Sequence, residues 1–514
     1  MSTINVLGIF SDDENFKFSR YTLHENGTLG ITYRGEHRNV GIRRIKHDSI
    51  DFELMKKYHH NCNVKTTAIR NLRVIDCKGP LSQGSIQAPQ NCRYAALSYV
   101  WGSNGPVSSS GAASGPIPPS KVVEDAISAT LSMGIRYLWV DRHDQVSQMG
   151  NIYSNSEVTF IVAAGEDAEY GIPGIGTTPR RRQLQEIIGN TELLQCFPNS
   201  SYAIASSKWA TRGWTFQEGV LSRRKIIFTD DGASYICQFF HNSEIMPKPL
   251  HWQQWPTEKM KGLMPRLDRI EKFAQDMLQN YSRRNLTHNS DAFDACLGIL
   301  QEMANANIGQ IWGVPIVYRY NRYYAIWLEW EHEQPVQRRP SFPSWSYLGW
   351  VGPIKWCAIP GFRTEKMAIG DTKTAFYNIH SLFDNRLKFL ETRYSCLHLT
   401  GKVFEPVMMD TAWIEQDRSY RFKAYQTVEN AYGERVFTRH LADGFYAHLK
   451  ICNNIRMLIR AQLDVVGFVL NESETSGTEV LLLRARDNIY ERVGFFSVSY
   501  WGFPTECKRR FHSY

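Results

Sequence analysis

The side chains best suited to chemistry are two carboxylates, a guanidinium and a hydroxyl, each beside large aromatic residues. Asp141 ends the apolar run Tyr137-Leu-Trp-Val-Asp141. A carboxylate at the carboxyl end of a buried strand stands where open α/β sheets bind ligands. The same residue could instead cap a helix beginning near His143, or pair with Arg136 or Arg142. Glu218 follows Trp214 and Gln217. An acid beside aromatics can have a raised pKa or hold a ribose hydroxyl, yet Gln217 and Glu218 just before Leu221 also suit the exposed face of a short helix. Arg212 can grip a phosphate bidentately, or tie two loops together through backbone carbonyls.

Ser98 lies within Tyr94-Ala-Ala-Leu-Ser-Tyr-Val-Trp-Gly102. No Gly-Xaa-Ser-Xaa-Gly elbow surrounds it, so the pattern argues for a packed hydroxyl rather than a hydrolase nucleophile. With Trp101, Tyr153, Trp214 and Gln217 it is a candidate ligand contact, although such aromatics more often fill a core. Gly171-Ile-Pro-Gly-Ile-Gly176 misses the Gly-Xaa-Gly-Xaa-Xaa-Gly spacing, and its proline suits a turn better than a phosphate cradle. His59, His60 and Cys62 lie close together, but a zinc site needs about four ligands in paired spacing. The ten cysteines are scattered, with no Cys-Xaa-Xaa-Cys pair. The expectation is no metal, no resident cofactor, and reduced, buried cysteines.

Three apolar runs of strand length must position these groups: Ala95 to Val100, Tyr137 to Val140 and Val158 to Ala164. Strands apolar on both faces are covered on both faces, which predicts an α/β domain with a parallel sheet flanked by helices. After the Gly-, Ser- and Pro-rich stretch 105–119, a helix is predicted with Ser120 as its cap, Val123, Ala126, Ile127 and Leu131 at helical spacing, and Gly134 as its stop. Residues 1–45 read as an N-terminal β arm and 46–245 as the main domain. Residues 246–310 read as a helical segment: one amphipathic helix runs from Leu267 to Tyr281, and another includes Phe293 to Leu300 with Ser290 as candidate cap. A β-rich C-terminal domain is expected over 311–514.

A chain of 514 residues exceeds one hydrophobic core. Its 59 basic and 51 acidic residues leave a charge of +8, and the basic clusters Arg180 to Arg182, Arg223-Arg224, Arg338-Arg339 and Lys508 to Arg510 are far apart. They read as solvated surface, not as a nucleic-acid-binding face. No secretory leader and no transmembrane run is evident, so a cytoplasmic protein is expected.

In chain order, Leu72 to Cys77, Tyr94 to Gly102, Arg136 to Asp141, Met149-Gly-Asn-Ile-Tyr153, Ile161 to Gly165 and Arg212-Gly-Trp-Thr-Phe-Gln-Glu-Gly-Val-Leu-Ser-Arg-Arg224 resemble the signature blocks of the fungal heterokaryon incompatibility (HET) domain. The likeness continues in Arg283 to Thr287, Asp291 to Gly298, Phe342-Pro-Ser-Trp-Ser346 and Tyr490 to Gly494. The resemblance implies an effector of nonself recognition that promotes programmed cell death, working with a protein partner or by self-association. It also implies a fold similar to Toll/interleukin-1 receptor (TIR) domains, some of which cleave NAD with a glutamate. By that analogy Glu218 and Asp141 would grip the nicotinamide ribose and Arg212 the pyrophosphate, with NAD as substrate. A non-catalytic interaction scaffold is the alternative. One block departs from the family pattern: a Cys-Ile-Xaa-Gln turn usually follows Trp-Val-Asp, whereas Arg142 and His143 follow Asp141 here. A mispredicted intron, a degenerate paralogue and a genuine variant each account for it.

Overall fold

The computed structural model describes residues 29–32, 43–60, 69–80, 83–102, 120–141, 145, 148–188, 191–195, 197, 200–237, 240–245, 250–251, 270–319, 323–332, 337–356, 362–363, 367–370, 377–378, 396–399, 403–407, 420–421, 423–429, 435–440, 446–447, 465–473, 477–486 and 489–498. The chain divides into two compact units, Met1–Arg269 with Asp294–Ile299, and Ile270–Phe293 with Leu300–Tyr514.

The first unit contains, in order, β1 (Leu29–Thr32), α1 (Phe52–His60), β2 (Arg73–Asp76), β3 (Ser85–Gln87), β4 (Tyr94–Ser98), α2 (Lys121–Ser132), β5 (Tyr137–Val140), α3 (Met149–Asn155) and β6 (Val158–Val162). Then come β7 (Gln185–Ile188), β8 (Thr191–Gln195), α4 (Ser200–Ala205), α5 (Lys208–Thr211), α6 (Trp214–Leu221), β9 (Arg224–Thr229), β10 (Gly232–Cys237), β11 (Phe240–Ser243) and β12 (Leu250–His251). Nine strands form one sheet in the order β12-β11-β10-β9-β6-β4-β5-β2-β3. Its middle, β5-β4-β6-β9, is parallel, and the strands on either side are antiparallel. The sheet is therefore mixed, not wholly parallel as the apolar runs suggest. The reason lies in connection length: only Asp230 and Asp231 separate β9 from β10, which permits a hairpin but not a crossover.

Every residue of β4, β6 and β9 is buried. On one face Ala95, Leu97, Leu138, Phe160 and Phe228 pack with Val122, Val123, Ala126 and Ala129 of α2 and with Leu54 and Met55 of α1. The opposite face carries Ala96 and Trp139 with Met149, Ile152 and Tyr153 of α3, and separately Ile161 and Ile227 with Trp209. Helix α2 begins where expected, with Val123 N donating to the Ser120 hydroxyl at 3.4 Å and Gly134 at φ +75° beyond its end. Cations enter the apolar sheet on β9: beside Arg224, Lys225 is fully buried, and burial pushes its amine down to about 7.

Several arginines that read as surface are internal fasteners. Arg180 is buried, donates to Glu244 and to the carbonyls of Lys46 and Ser49, and fixes the segment preceding α1. Glu244 accepts in addition from Asp51 N and Ala233 N, each at 2.8 Å. Arg224 is also buried, whereas Arg181 is mostly exposed. At the amino-terminal edge of the parallel strands, Glu157 meets His59 Nε2 at 2.8 Å, Arg93 at 3.1 Å and Arg224 at 3.8 Å. His59 is thus spent on an ionic cluster, and Cys62 lies outside the described residues. The glycine-rich run 171–176 wraps the carboxylate of Asp125, which accepts from Ile172 N at 2.7 Å. A Cβ on Gly176, at φ +58°, would sit 2.3 Å from Asp125 Oδ1, so the turn holds an internal carboxylate rather than an external phosphate.

In the second unit the helix Ile270–Ser282 is followed by a 3₁₀ turn at Asn289–Ala292; the next 3₁₀ turn, Asp294–Cys296, and the start of the helix Leu297–Asn305 fall in the first unit. Ser290 lies inside the first of those turns and caps no helix; its hydroxyl donates to Asp291 at 3.1 Å. Gly309–Ile311, Val314–Arg319, Tyr323–Ile326 and Phe362–Arg363 form a four-stranded antiparallel sheet. A six-stranded one runs in the order Arg435–His440, Lys423–Glu429, Val403–Val407, Val465–Ser473, Gly477–Arg486, Ile489–Val498. Arg338 and Arg339 clamp backbone carbonyls in this unit instead of facing solvent. Lys508 to Arg510 lie outside the described residues.

Two stability predictions follow from these ion pairs. Glu244→Ala strands the Arg180 charge and should lower the urea stability of the first unit by about 3–5 kcal/mol, whereas Arg181→Ala, which removes a mostly exposed guanidinium from Asp231, should cost less than that. The His59 contact, aided by Arg93 and Arg224 against the cost of burial, holds the Glu157 carboxyl at about 2, below its ordinary 4.5. Because that pKa is depressed, the stabilisation is complete above about pH 4.5 and is lost as pH falls toward about 2. Urea midpoints across that window should decline less in Glu157→Gln than in the parent chain.

Candidate functional site

Numbered along the chain, the parallel strands β4, β5, β6 and β9 lie in the order 2-1-3-4. The chain runs from β4 to the adjacent β5 through α2, then back across β4 to β6 through α3, with the two helices on opposite faces. In sheets wound this way the loops after the first and third strands diverge and open a crevice at the carboxyl edge. Ser98 to Gly102 leave β4 at that edge, and Ala163 to Gly165 leave β6. The two loops touch: a Cβ on Gly102, at φ +88°, would lie 2.9 Å from the Cβ of Asp167.

Ser98 is buried at the end of β4, where its Oγ donates to Glu218 Oε2 at 2.5 Å and accepts from Trp209 Nε1 at 2.7 Å. Indole nitrogen only donates, so it occupies an acceptor site of Ser98 and the single hydroxyl proton is directed to Glu218. Helix α5 supplies Trp209 and α6 supplies Glu218, itself buried. The Thr215 hydroxyl joins the two helices by donating to the carbonyls of Trp209 at 2.5 Å and Arg212 at 3.0 Å. Tyr153, fully buried on α3, donates to Leu97 O at 3.0 Å. Burial, and then the neighbouring Glu218 and Asp141, push its phenol well above the ordinary 10. The Tyr99 phenol is raised as well, by burial first and then by Asp141, with Arg212 opposing. The guanidinium of half-buried Arg212 lies 5.3 Å from the centre of the Trp101 ring, within the range of a cation–π contact.

Ser98, Trp101, Asp141, Tyr153, Arg212 and Glu218 therefore surround one corner of the sheet, with Tyr99 and Trp209 added to them. Two candidates belong elsewhere. Gln217 is buried and engages the segment Asp294–Ile299, accepting from Gly298 N at 3.1 Å and donating to Asp294 O at 3.3 Å. Trp214, half-buried one turn before Glu218, packs against the apolar cluster of Trp139, Tyr153 and Leu221. The exposed-face reading of Gln217 and Glu218 is overturned, since every residue of α6 after Trp214 is buried. The residues after Asp141, 142–144, lie outside the described residues together with the loop 103–119. Among the described residues no group of His, Cys, Asp or Glu is arranged to hold a metal, and no helix is long and apolar enough to cross a membrane.

The site therefore brings carboxylates, phenols and a guanidinium to the carboxyl edge of a doubly wound sheet, an arrangement suited to a small polar or phosphorylated ligand. The family model described as Heterokaryon incompatibility protein (HET) matches residues 94–218. The chain carries a HET domain, which associates it with heterokaryon incompatibility. The matched span opens on the first residue of β4, closes on Glu218, and encloses every residue of the cluster. No curated protein and no solved structure matches the chain.

Removing the Ser98 hydroxyl leaves Glu218 without that donor and Trp209 without its acceptor. Ser98→Ala should lower the stability of the first unit by about 1–3 kcal/mol. In a double-mutant cycle Ser98→Ala and Trp209→Phe should couple by about 0.5–3 kcal/mol, as neighbours in one network do; additive effects would show that the two act independently.

Proposed function

We propose that the chain is an effector of fungal nonself recognition that promotes the death of fused cells, and that the Glu218 cluster of its HET domain carries this output. The observation that supports the reading most is the placement of a buried carboxylate, oriented by Ser98 and Trp209, at the switch point of a doubly wound sheet. A purely structural acid has no need of that edge. Self-association or a partner protein supplies the trigger in this reading, and the cell compartment is the cytoplasm.

A second reading is favoured by the pairing of acids with Arg212 over Trp101. By analogy with TIR domains, the site would cleave NAD: Glu218 and Asp141 hold the ribose hydroxyls and Arg212 the pyrophosphate. Water adds to the ribose anomeric carbon as the bond to nicotinamide breaks. The leaving ring keeps the bonding electrons and the proton from water passes to solvent.

Inducible expression of the full chain in a fungal host tests both readings. Growth should stop with the parent protein and with Arg181→Ala, and continue with Glu218→Gln at equal protein abundance. NAD consumption by the purified chain should fall by about 10- to 100-fold in Glu218→Gln, as the loss of a charge-assisted hydrogen bond to the ribose implies. Killing that persists in Glu218→Gln removes the cluster from the output and leaves an interaction scaffold, while killing by the parent chain with cellular NAD unchanged removes the second reading alone.

A further inference from the structure

His332 occupies the middle of a row of aromatic rings and guanidinium groups in the second unit. It ends the strand Trp330–His332, which pairs antiparallel with Ile354–Trp356. Its ring meets Trp330 at 5.1 Å and Trp350 at 5.6 Å, with interplanar angles of 79° and 62°. Against Trp330 lies the guanidinium of Arg492, 3.6 Å from the ring centre, and against Trp350 that of Arg338, at 5.3 Å. The row reads Arg492, Trp330, His332, Trp350, Arg338. Each arginine also holds a stretch of backbone: Arg492 donates to the carbonyls of Leu328, at 2.8 Å, and Trp330. Arg338 donates to those of Gly349 at 2.7 Å and Phe342 at 2.6 Å. Glu491 accepts from Arg338 at 3.2 Å and Arg484 at 2.7 Å. The row thereby fastens segments 328–332, 338–350 and 489–492 together.

A cation against an aromatic ring is held by the negative charge of the ring face, and both indoles in this row already serve one. A proton on His332 would insert a third positive charge between two fixed ones. Of the charges around it, Arg492 disfavours that proton. Arg492 and Glu491 come from Ile489–Val498, and that carboxylate is shared by two arginines. Lys355 on the facing strand stands in register with Glu331 on the same strand as His332, and Arg338 lies beyond Trp350. Burial, and then Arg492, push the imidazole down to about 3, with a backbone interaction at Pro353 opposing.

We propose that this row is an acid-sensitive latch, closed while His332 is neutral and opened when the imidazole takes up a proton, which frees the three segments from one another. Once open, the imidazole returns to its ordinary range near 6.5, so the open form binds a proton that the closed form refuses. The ratio of open to closed then rises about tenfold for each pH unit below about 6.5, until the folded value is reached. The latch concerns the second unit alone and does not rest on the reading of the Glu218 cluster.

Hydrogen exchange of the full chain at about pH 7 and about pH 5, corrected for the intrinsic pH dependence of exchange, tests it. Peptides covering 328–350 and 484–498 should lose about tenfold or more of their protection at the lower pH, while those covering β4 and β9 keep theirs. His332→Phe retains a ring between the two indoles and has no proton to accept, so its protection should be unchanged. No loss in the parent chain, or equal loss in both proteins, overturns the latch. Should His332→Phe fail to fold, histidine-labelled full-length protein decides by NMR, with the resonance identified by its loss in His332→Gln. A titration midpoint far below the ordinary imidazole range supports the latch, and one near 6.5 overturns it.

Discussion

Four adjacent strands buried on both faces leave polar chemistry only their ends. Side chains along β4, β6 and β9 face packed helices on either side, where a charge without partners costs several kcal/mol. The two edges of the sheet take opposite characters in consequence. At the amino-terminal edge the Glu157 carboxylate meets His59, Arg93 and Arg224. At the carboxyl edge Glu218 accepts from the Ser98 hydroxyl, and burial, aided by Asp141, raises the phenols of Tyr99 and Tyr153. An edge compensated by its own arginines is structural.

The parts of this architecture written in local periodicity were legible in the sequence. The apolar runs Ala95 to Val100, Tyr137 to Val140 and Val158 to Ala164 marked the parallel core, and Ser120 with Gly134 marked the ends of α2, because strand burial and helix capping are decided within a few residues of the position concerned. Antiparallel flanking was less visible, since neither strand length nor apolarity carries direction: β10 is as long as β9. Direction is fixed by connection lengths that become meaningful only once the strand ends are known. The arginines show the limit most clearly. Arg180, Arg181 and Arg182 are consecutive, yet Arg180 is buried against Glu244 and Arg181 is mostly exposed. Composition cannot separate them, because the distinguishing carboxylate lies 64 positions away.

The same limit divides the candidate site. Asp141 was found by its position after a buried strand, and Glu218 by its aromatic company, both of which are local signals. Trp209, which directs the Ser98 proton, is 111 positions from its partner, and no spacing rule connects them. Tyr99 was hidden in another way: within an apolar run it reads as core, and only the turn of the chain at the end of β4 brings its phenol under the influence of Asp141 and Arg212. Gln217 illustrates the converse error. Adjacency to Glu218 suggested a shared role, but successive helical residues point about 100° apart, and the neighbour of a site residue belongs to a different contact.

This separation bears on the shortened connection after Asp141. The orientation of Glu218 is set by Ser98 on β4 and Trp209 on α5, and the coupling of α5 to α6 is set by the Thr215 hydroxyl. None of these contacts passes through the turn that follows β5. A change in that turn leaves these contacts of Glu218 in place. Shortening a connection costs little in closure entropy. The departure from the family pattern therefore bears on Asp141, which adjoins it in sequence, more than on Glu218, whose oriented contacts come from β4 and α5.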